Sequence, residues 1–186
     1  MARKYASLHI RDVDDRYTEE QLLHIYNRVS KITPATDSLS GMQKLGVALG
    51  KKEVHLFNAI LDTFKDVVKI KKNNSFMSIF DQELSFETVE DKALELSREL
   101  DEKVFFASVF DDDVFFFGLC QKGRSIATHT SGQCEAYGIE NASINVDLLE
   151  DWLSNGADIE LSLNGKEGME FEAALQKQLG FPLGEA

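Results

Sequence analysis

The stretch from Val104 to His129 constrains this chain more than any other. VFFASVF, DDD, VFFFGLCQ, KG and RSIATH follow one another, which reads as three antiparallel strands joined by two tight turns. Phe and Val suit a pleated surface, and the polar breaks at Asp111–Asp113 and Lys122-Gly123 fall where a chain can reverse. Along the second strand Phe115 and Phe117 face one way and Phe116 the other. With both sides apolar, the strand is expected at the centre of a sheet, covered on each face by helices at 18–30, 53–64 and 88–100. The segment reads as scaffold, not as a reaction centre.

The flanking sequence fills in an α+β fold. Lys4–Arg11 alternates, with Ala6, Leu8 and Ile10 on one side and Tyr5, Ser7, His9 and Arg11 on the other, as in a half-buried strand. Thr18 and Gln21 match a capping box ahead of a helix bearing Leu22, Ile25, Tyr26 and Val29. A second helix is expected at Glu53–Phe64, after a stretch, 33–50, whose three glycines leave it undefined. Val67–Lys71 and Phe76–Asp81 flank Asn73-Asn74, a plausible hairpin turn. Thr88 is expected to cap a helix with Val89, Ala93, Leu96 and Leu100 as its buried stripe. Asn145 is expected to cap a short helix carrying Leu148, Leu149, Trp152 and Leu153; Ile159, Leu161 and Leu163 alternate as a strand. A last helix, Glu167–Leu179, stops at Gly180 with Pro182 beyond. Many strands adjacent in sequence give a mainly antiparallel sheet with a central Phe-rich hairpin, packed by several helices, not a doubly wound parallel fold. Residues 1–186 read as a single domain. A weak boundary near Gly132–Asn141 leaves open a C-terminal helical extension from about residue 140.

Charge is distributed unevenly. The net charge is −12, yet residues 1–72 carry 13 Lys/Arg against 9 Asp/Glu while residues 73–186 carry 7 against 23. Such an acidic chain repels phosphate backbones, so nucleic acid is an unfavoured partner and a basic protein a favoured one. No apolar run approaches the roughly 18 residues that span a bilayer, and MARKYASLHIRD has no apolar signal core, so no membrane association and a cytoplasmic location are expected. Two cysteines are too few for a disulfide framework.

Three groups could carry chemistry. Asp111, Asp112 and Asp113 are candidate metal ligands, since clustered carboxylates bind hard cations. Calcium loops, however, space their ligands at alternate positions and include a glycine, so an acidic turn is the better reading. Cys134 and His129 are candidate catalytic residues of a Cys/His hydrolase or transferase, and Cys120 could join them as a third zinc ligand. There is no CxxC or HExxH. Cys120 stands in an apolar strand, and Glu135 beside Cys134 opposes a thiolate. Gly46–Lys52 departs from the phosphate-loop pattern, with three residues between its glycines and Lys52 in place of Ser or Thr. Lys65, Lys69, Lys71 and Lys72 read as a solvated face of an edge strand. No cofactor is implied.

Phe76–His129, with its strand SIFD, helix, FDDDV hairpin and Lys-Gly turn, resembles a pattern met in uncharacterised bacterial proteins. The resemblance implies a bacterial cytoplasmic protein without an established activity, and it transfers no catalytic residue. The favoured function is a non-catalytic protein-interaction module with an acidic surface, similar in role to the small acidic immunity proteins that neutralise basic toxins.

Overall fold

A computed structural model describes residues 4–32, 68–152 and 166–184. The expected helix at 53–64, the strand at 159–163, the glycine-bearing stretch 33–50 and Gly46–Lys52 lie outside the described residues. Six strands form one antiparallel sheet: β1 (Tyr5–Arg11), β2 (Val68–Asn73), β3 (Phe76–Asp81), β4 (Lys103–Phe110), β5 (Val114–Gln121) and β6 (Arg124–Gly132), in the order β2-β3-β1-β4-β5-β6. Among the described residues three α-helices join it: α1 (Glu19–Ile32), α2 (Val89–Leu100) and α3 (Gly168–Leu179). The fold is α+β, with the Phe-rich hairpin β4–β5 inside the sheet.

Local chemistry accounts for the element ends. In α1 the Gln21 amide N–H donates to Thr18 Oγ1 at 3.1 Å and the Thr18 N–H donates to Gln21 Oε1 at 2.9 Å, a reciprocal capping box. Thr88 behaves otherwise: its hydroxyl accepts the Ser85 N–H at 3.0 Å, tightening the preceding turn, and makes no side-chain cap to α2. Lys122 and Gly123 both take positive φ (52° and 71°), as a two-residue turn between right-twisted strands requires. Asp111 and Asp112 do likewise (58° and 62°), and the Asp113 N–H donates to Phe110 O at 3.1 Å. Asp tolerates the left-handed region better than most residues, which suits this position. The helix α3 ends at Gly180, φ 75°, whose N–H donates to Gln176 O.

Each sheet face has its own core. On one face Ala6, Leu8, Ile10, Met77, Ile79, Val104, Phe106 and Cys120 meet Leu22 and Tyr26 of α1 and Val89, Ala93, Leu96 and Leu100 of α2. On the other, Phe105, Ala107, Phe115, Phe117 and Leu119 meet Ile144, Leu149 and Trp152 of a 3-10 segment (Val146–Trp152), then α3 and the tail residues Phe181 and Leu183. The strand β5 is indeed covered on both sides. The covering differs from expectation, because α1 and α2 share one face and the second cover comes from the C-terminal third. Leu148 is turned outward, 37% exposed, since the 3-10 segment presents a narrower stripe than an α-helix. Gly118 allows a close approach within the sheet: a Cβ there would lie 2.5 Å from Ala127 O and 2.7 Å from the Phe106 ring.

The strand β1 corrects a second expectation. It lies between β3 and β4 and is buried on both faces, so Ser7 and His9 are fully enclosed rather than solvent-facing.

Candidate functional site

The Asp111–Asp113 turn separates two concavities. On one side a cavity of about 550 Å³ is walled by Leu84, Phe86, Val109, Phe110, Tyr137 and Ile139, with Lys4 at its rim. Phe110 meets Tyr137 edge-on at 5.2 Å and Phe86 at 5.9 Å. The Lys4 ammonium sits 4.7 Å from the Phe110 ring centre and 3.3 Å from Asp111 Oδ1. The Tyr137 hydroxyl donates to Asp113 Oδ2 at 2.6 Å, which favours the neutral phenol and pushes its pKa up to about 12. On the other side a recess of about 450 Å³ is lined by Asp112, Asp113, Glu167 and Glu170, with no Lys or Arg in its described lining. Asp111 thus pairs with Lys4 and Asp113 accepts from Tyr137, while Asp112 and Asp113 both line the recess. Among the described residues no group of three or more His, Cys, Asp or Glu side chains is arranged to hold a metal ion.

His129 and Cys134 line a third concavity, of about 590 Å³, together with Ser131, Asn141, Lys166 and Glu167. His129 stacks on Phe171 at 4.6 Å and packs on Phe117 at 5.1 Å, and this burial lowers its pKa from the ordinary histidine value. Its Nδ1 is enclosed without a hydrogen-bond partner. Cys134 is 1% exposed at the start of a 3-10 turn, Cys134–Tyr137. The two residues share a cavity wall, but no hydrogen bond joins thiol and imidazole. Cys120 lies on the opposite sheet face, where burial, with a smaller effect from Glu90, pushes its thiol up to about 12. A three-residue zinc site from Cys120, His129 and Cys134 is therefore not assembled.

A polar cluster that sequence reasoning missed lies inside the protein. Ser7, His9 and Ser78 are all fully buried, and β1–β3 pairing sets His9 opposite Ser78. His9 Nε2 lies 2.9 Å from Ser7 Oγ, and Nδ1 lies 2.9 Å from Ser78 Oγ. Ser7 donates its single hydroxyl proton to Leu183 O at 2.6 Å. It must then accept from His9, so the imidazole carries its proton on Nε2 and accepts from Ser78 on Nδ1. The donors run one way, Ser78 to His9 to Ser7 to the tail carbonyl. The arrangement resembles a nucleophile and base in outline, yet Ser7 is not aimed at a substrate and Phe181 closes over the imidazole at 4.8 Å. Burial lowers the His9 pKa to about 3, so the ring is neutral. Its chemistry is to fasten the C-terminal tail to the sheet. The sequence signal available was Ser7 and His9 two positions apart on one strand, which alone does not distinguish a buried face from a wet one.

The chain matches no protein-family model, no curated protein and no solved structure. Geometry alone therefore carries the functional reading. No helix among the described residues is long and apolar enough to cross a membrane.

Proposed function

We propose that this chain is a bacterial, cytoplasmic, non-catalytic protein-interaction module that binds a basic partner through the surface around Asp111–Asp113, in a role like that of small acidic immunity proteins. The observation that carries the reading is the acidic lining of the recess, formed by Asp112, Asp113, Glu167 and Glu170. Those residues come from a hairpin turn and from the start of α3, so only the folded chain gathers them along one recess. Acidic residues along one concavity give it a negative potential, which attracts a partner's Lys or Arg. The excess of 23 acidic over 7 basic residues in 73–186 would add long-range steering, which mainly raises the association rate.

The test is an NMR titration with hexa-arginine at low and moderate salt. Amide shifts are expected to concentrate on Asp111–Asp113, Gly132–Gln133 and Glu167–Glu170, to weaken with salt, and to vanish in Glu167→Lys/Glu170→Lys. Shifts spread equally over the acidic exposed side of α2, or indifferent to salt, would refute the reading.

A second reading keeps a Cys/His hydrolase or transferase using Cys134 and His129. It draws on the shared cavity and on the unpartnered His129 Nδ1. Alkylation of native protein by iodoacetamide discriminates: a Cys134 that reacts no faster than a free peptide thiol at the same pH rules out an activated nucleophile.

A further inference from the structure

We propose that the aromatic cavity beside the acidic turn is a receptor for a lysine or arginine side chain of the protein partner, and that Lys4 is its resident stand-in. This inference rests on the basic-partner reading and deepens it, by naming the side-chain chemistry and a second point of attachment.

The cavity has the parts that cation recognition needs. Phe110, Phe86 and Tyr137 come from the end of β4, the turn before α2 and the 3-10 turn after β6, and their rings converge. Aromatic faces carry negative electrostatic potential, so a ring with a carboxylate at its edge attracts an ammonium or guanidinium group. Asp111 supplies that carboxylate, and the chain itself demonstrates the fit, since the Lys4 ammonium touches both the Phe110 ring and Asp111. The Tyr137–Asp113 hydrogen bond orients the phenol before any ligand arrives. Beyond the ring edge the walls are aliphatic, from Leu84, Val109 and Ile139, which suits the methylene stem of a long basic side chain.

Lys4 is a loosely held occupant. Its side chain is 60% exposed and that of Asp111 is 39% exposed, a solvent-screened pair that contributes little. A partner cation anchored elsewhere on the interface, as in the carboxylate recess across the turn, would displace it with little loss. Lys4 would then swing into solvent, and the acidic turn would be engaged from both sides by one partner.

The experiment compares two peptides, acetyl-Ala-Arg-Ala-amide and its norleucine counterpart, against the full chain and Lys4→Ala, followed by NMR of the aromatic side chains. The arginine peptide is expected to shift Phe110 and Tyr137 resonances and the norleucine peptide to leave them unmoved. Removing the resident cation in Lys4→Ala is expected to tighten arginine-peptide binding about three- to tenfold, and Phe110→Leu to weaken it by a similar factor. Unchanged or weaker binding to Lys4→Ala overturns the stand-in. Equal response to norleucine overturns cation recognition. Shifts confined to the Glu167–Glu170 recess overturn this inference and leave the basic-partner reading standing, whereas shifts at neither place sink both.

Discussion

Replacing His9 by Gln isolates the acid sensitivity built into the sheet. The folded protein holds His9 neutral, with a pKa lowered to about 3 against an ordinary 6.5, because a charged imidazole would be desolvated among Phe80, Phe105 and Phe181. The unfolded chain takes up this proton below pH 6.5 and the folded chain does not. A lowered histidine pKa thus contributes stability that is fully present above 6.5 and is lost as pH falls toward 3. The loss is about 1.4 kcal/mol per pH unit, hence about 2 kcal/mol between pH 6.5 and pH 5 from this one ring. Gln keeps one donor and one acceptor for Ser7 and Ser78 but does not titrate. Its own penalty from lost ring packing, about 1–3 kcal/mol, is independent of pH. His129 also has a lowered pKa and contributes in the same direction, but equally in both proteins. Urea unfolding at pH 7.5 and pH 5 should therefore show wild type losing about 2 kcal/mol more than His9→Gln. Equal losses would mean that His9 is hydrated or charged in the folded state, and that the one-way donor chain to Leu183 is wrong.

The remaining predictions concern parts of the same scaffold. Ser7→Ala strands the His9 Nε2–H and the Leu183 carbonyl, so it should cost about 2–4 kcal/mol in urea unfolding and make the C-terminal residues susceptible to carboxypeptidase. Gly132→Ala puts a Cβ 1.9 Å from Asp113 O at φ 108°, whereas Gly138→Ala at φ 68° meets nothing within 4 Å. The first should lower Tm sharply, by more than about 2 kcal/mol of stability, and the second should cost about 1 kcal/mol. Thr18→Ala removes a reciprocal cap and should cost about 1 kcal/mol, with faster amide exchange confined to the first turn of α1. Native Cys120, enclosed and with its thiol pKa raised to about 12, should resist Ellman's reagent until the protein unfolds.

Sequence legibility followed the range of the interaction. The Lys122-Gly123 turn, the Thr18–Gln21 box, the stripe of α2 and the Gly180 stop depend on residues within a few positions of each other, and the chain displays them openly. Alternation also assigned residues to faces correctly, as with Phe115 and Phe117 against Phe116. It could not say what covers a face. The Ser7–His9 side of β1 is sealed by Phe181 and Leu183, more than 170 residues along the chain, and only the fold brings them together. The acidic turn was visible as a turn, but its meaning depends on Lys4, Tyr137 and Glu167, which β1–β4 pairing and the placement of α3 bring to it. His129 and Cys134 were close enough in sequence to be linked, yet the stacking of one on Phe171 and the burial of the other required coordinates.

Placing the first strand between the third and fourth has a consequence for how the molecule is made. The pairs β2–β3 and β4–β5–β6 close through short turns, but β1 reaches β3 and β4 only across some 70 to 100 residues of chain. During synthesis this greasy ribbon emerges ahead of both partners and waits, unzipped, until β3 and then β4 have left the ribosome. It then enters as the keystone that welds two ready-made ribbons into one sheet. A protein lacking its first eleven residues would keep both ribbons and lose the seam, and its collapse should be all-or-none.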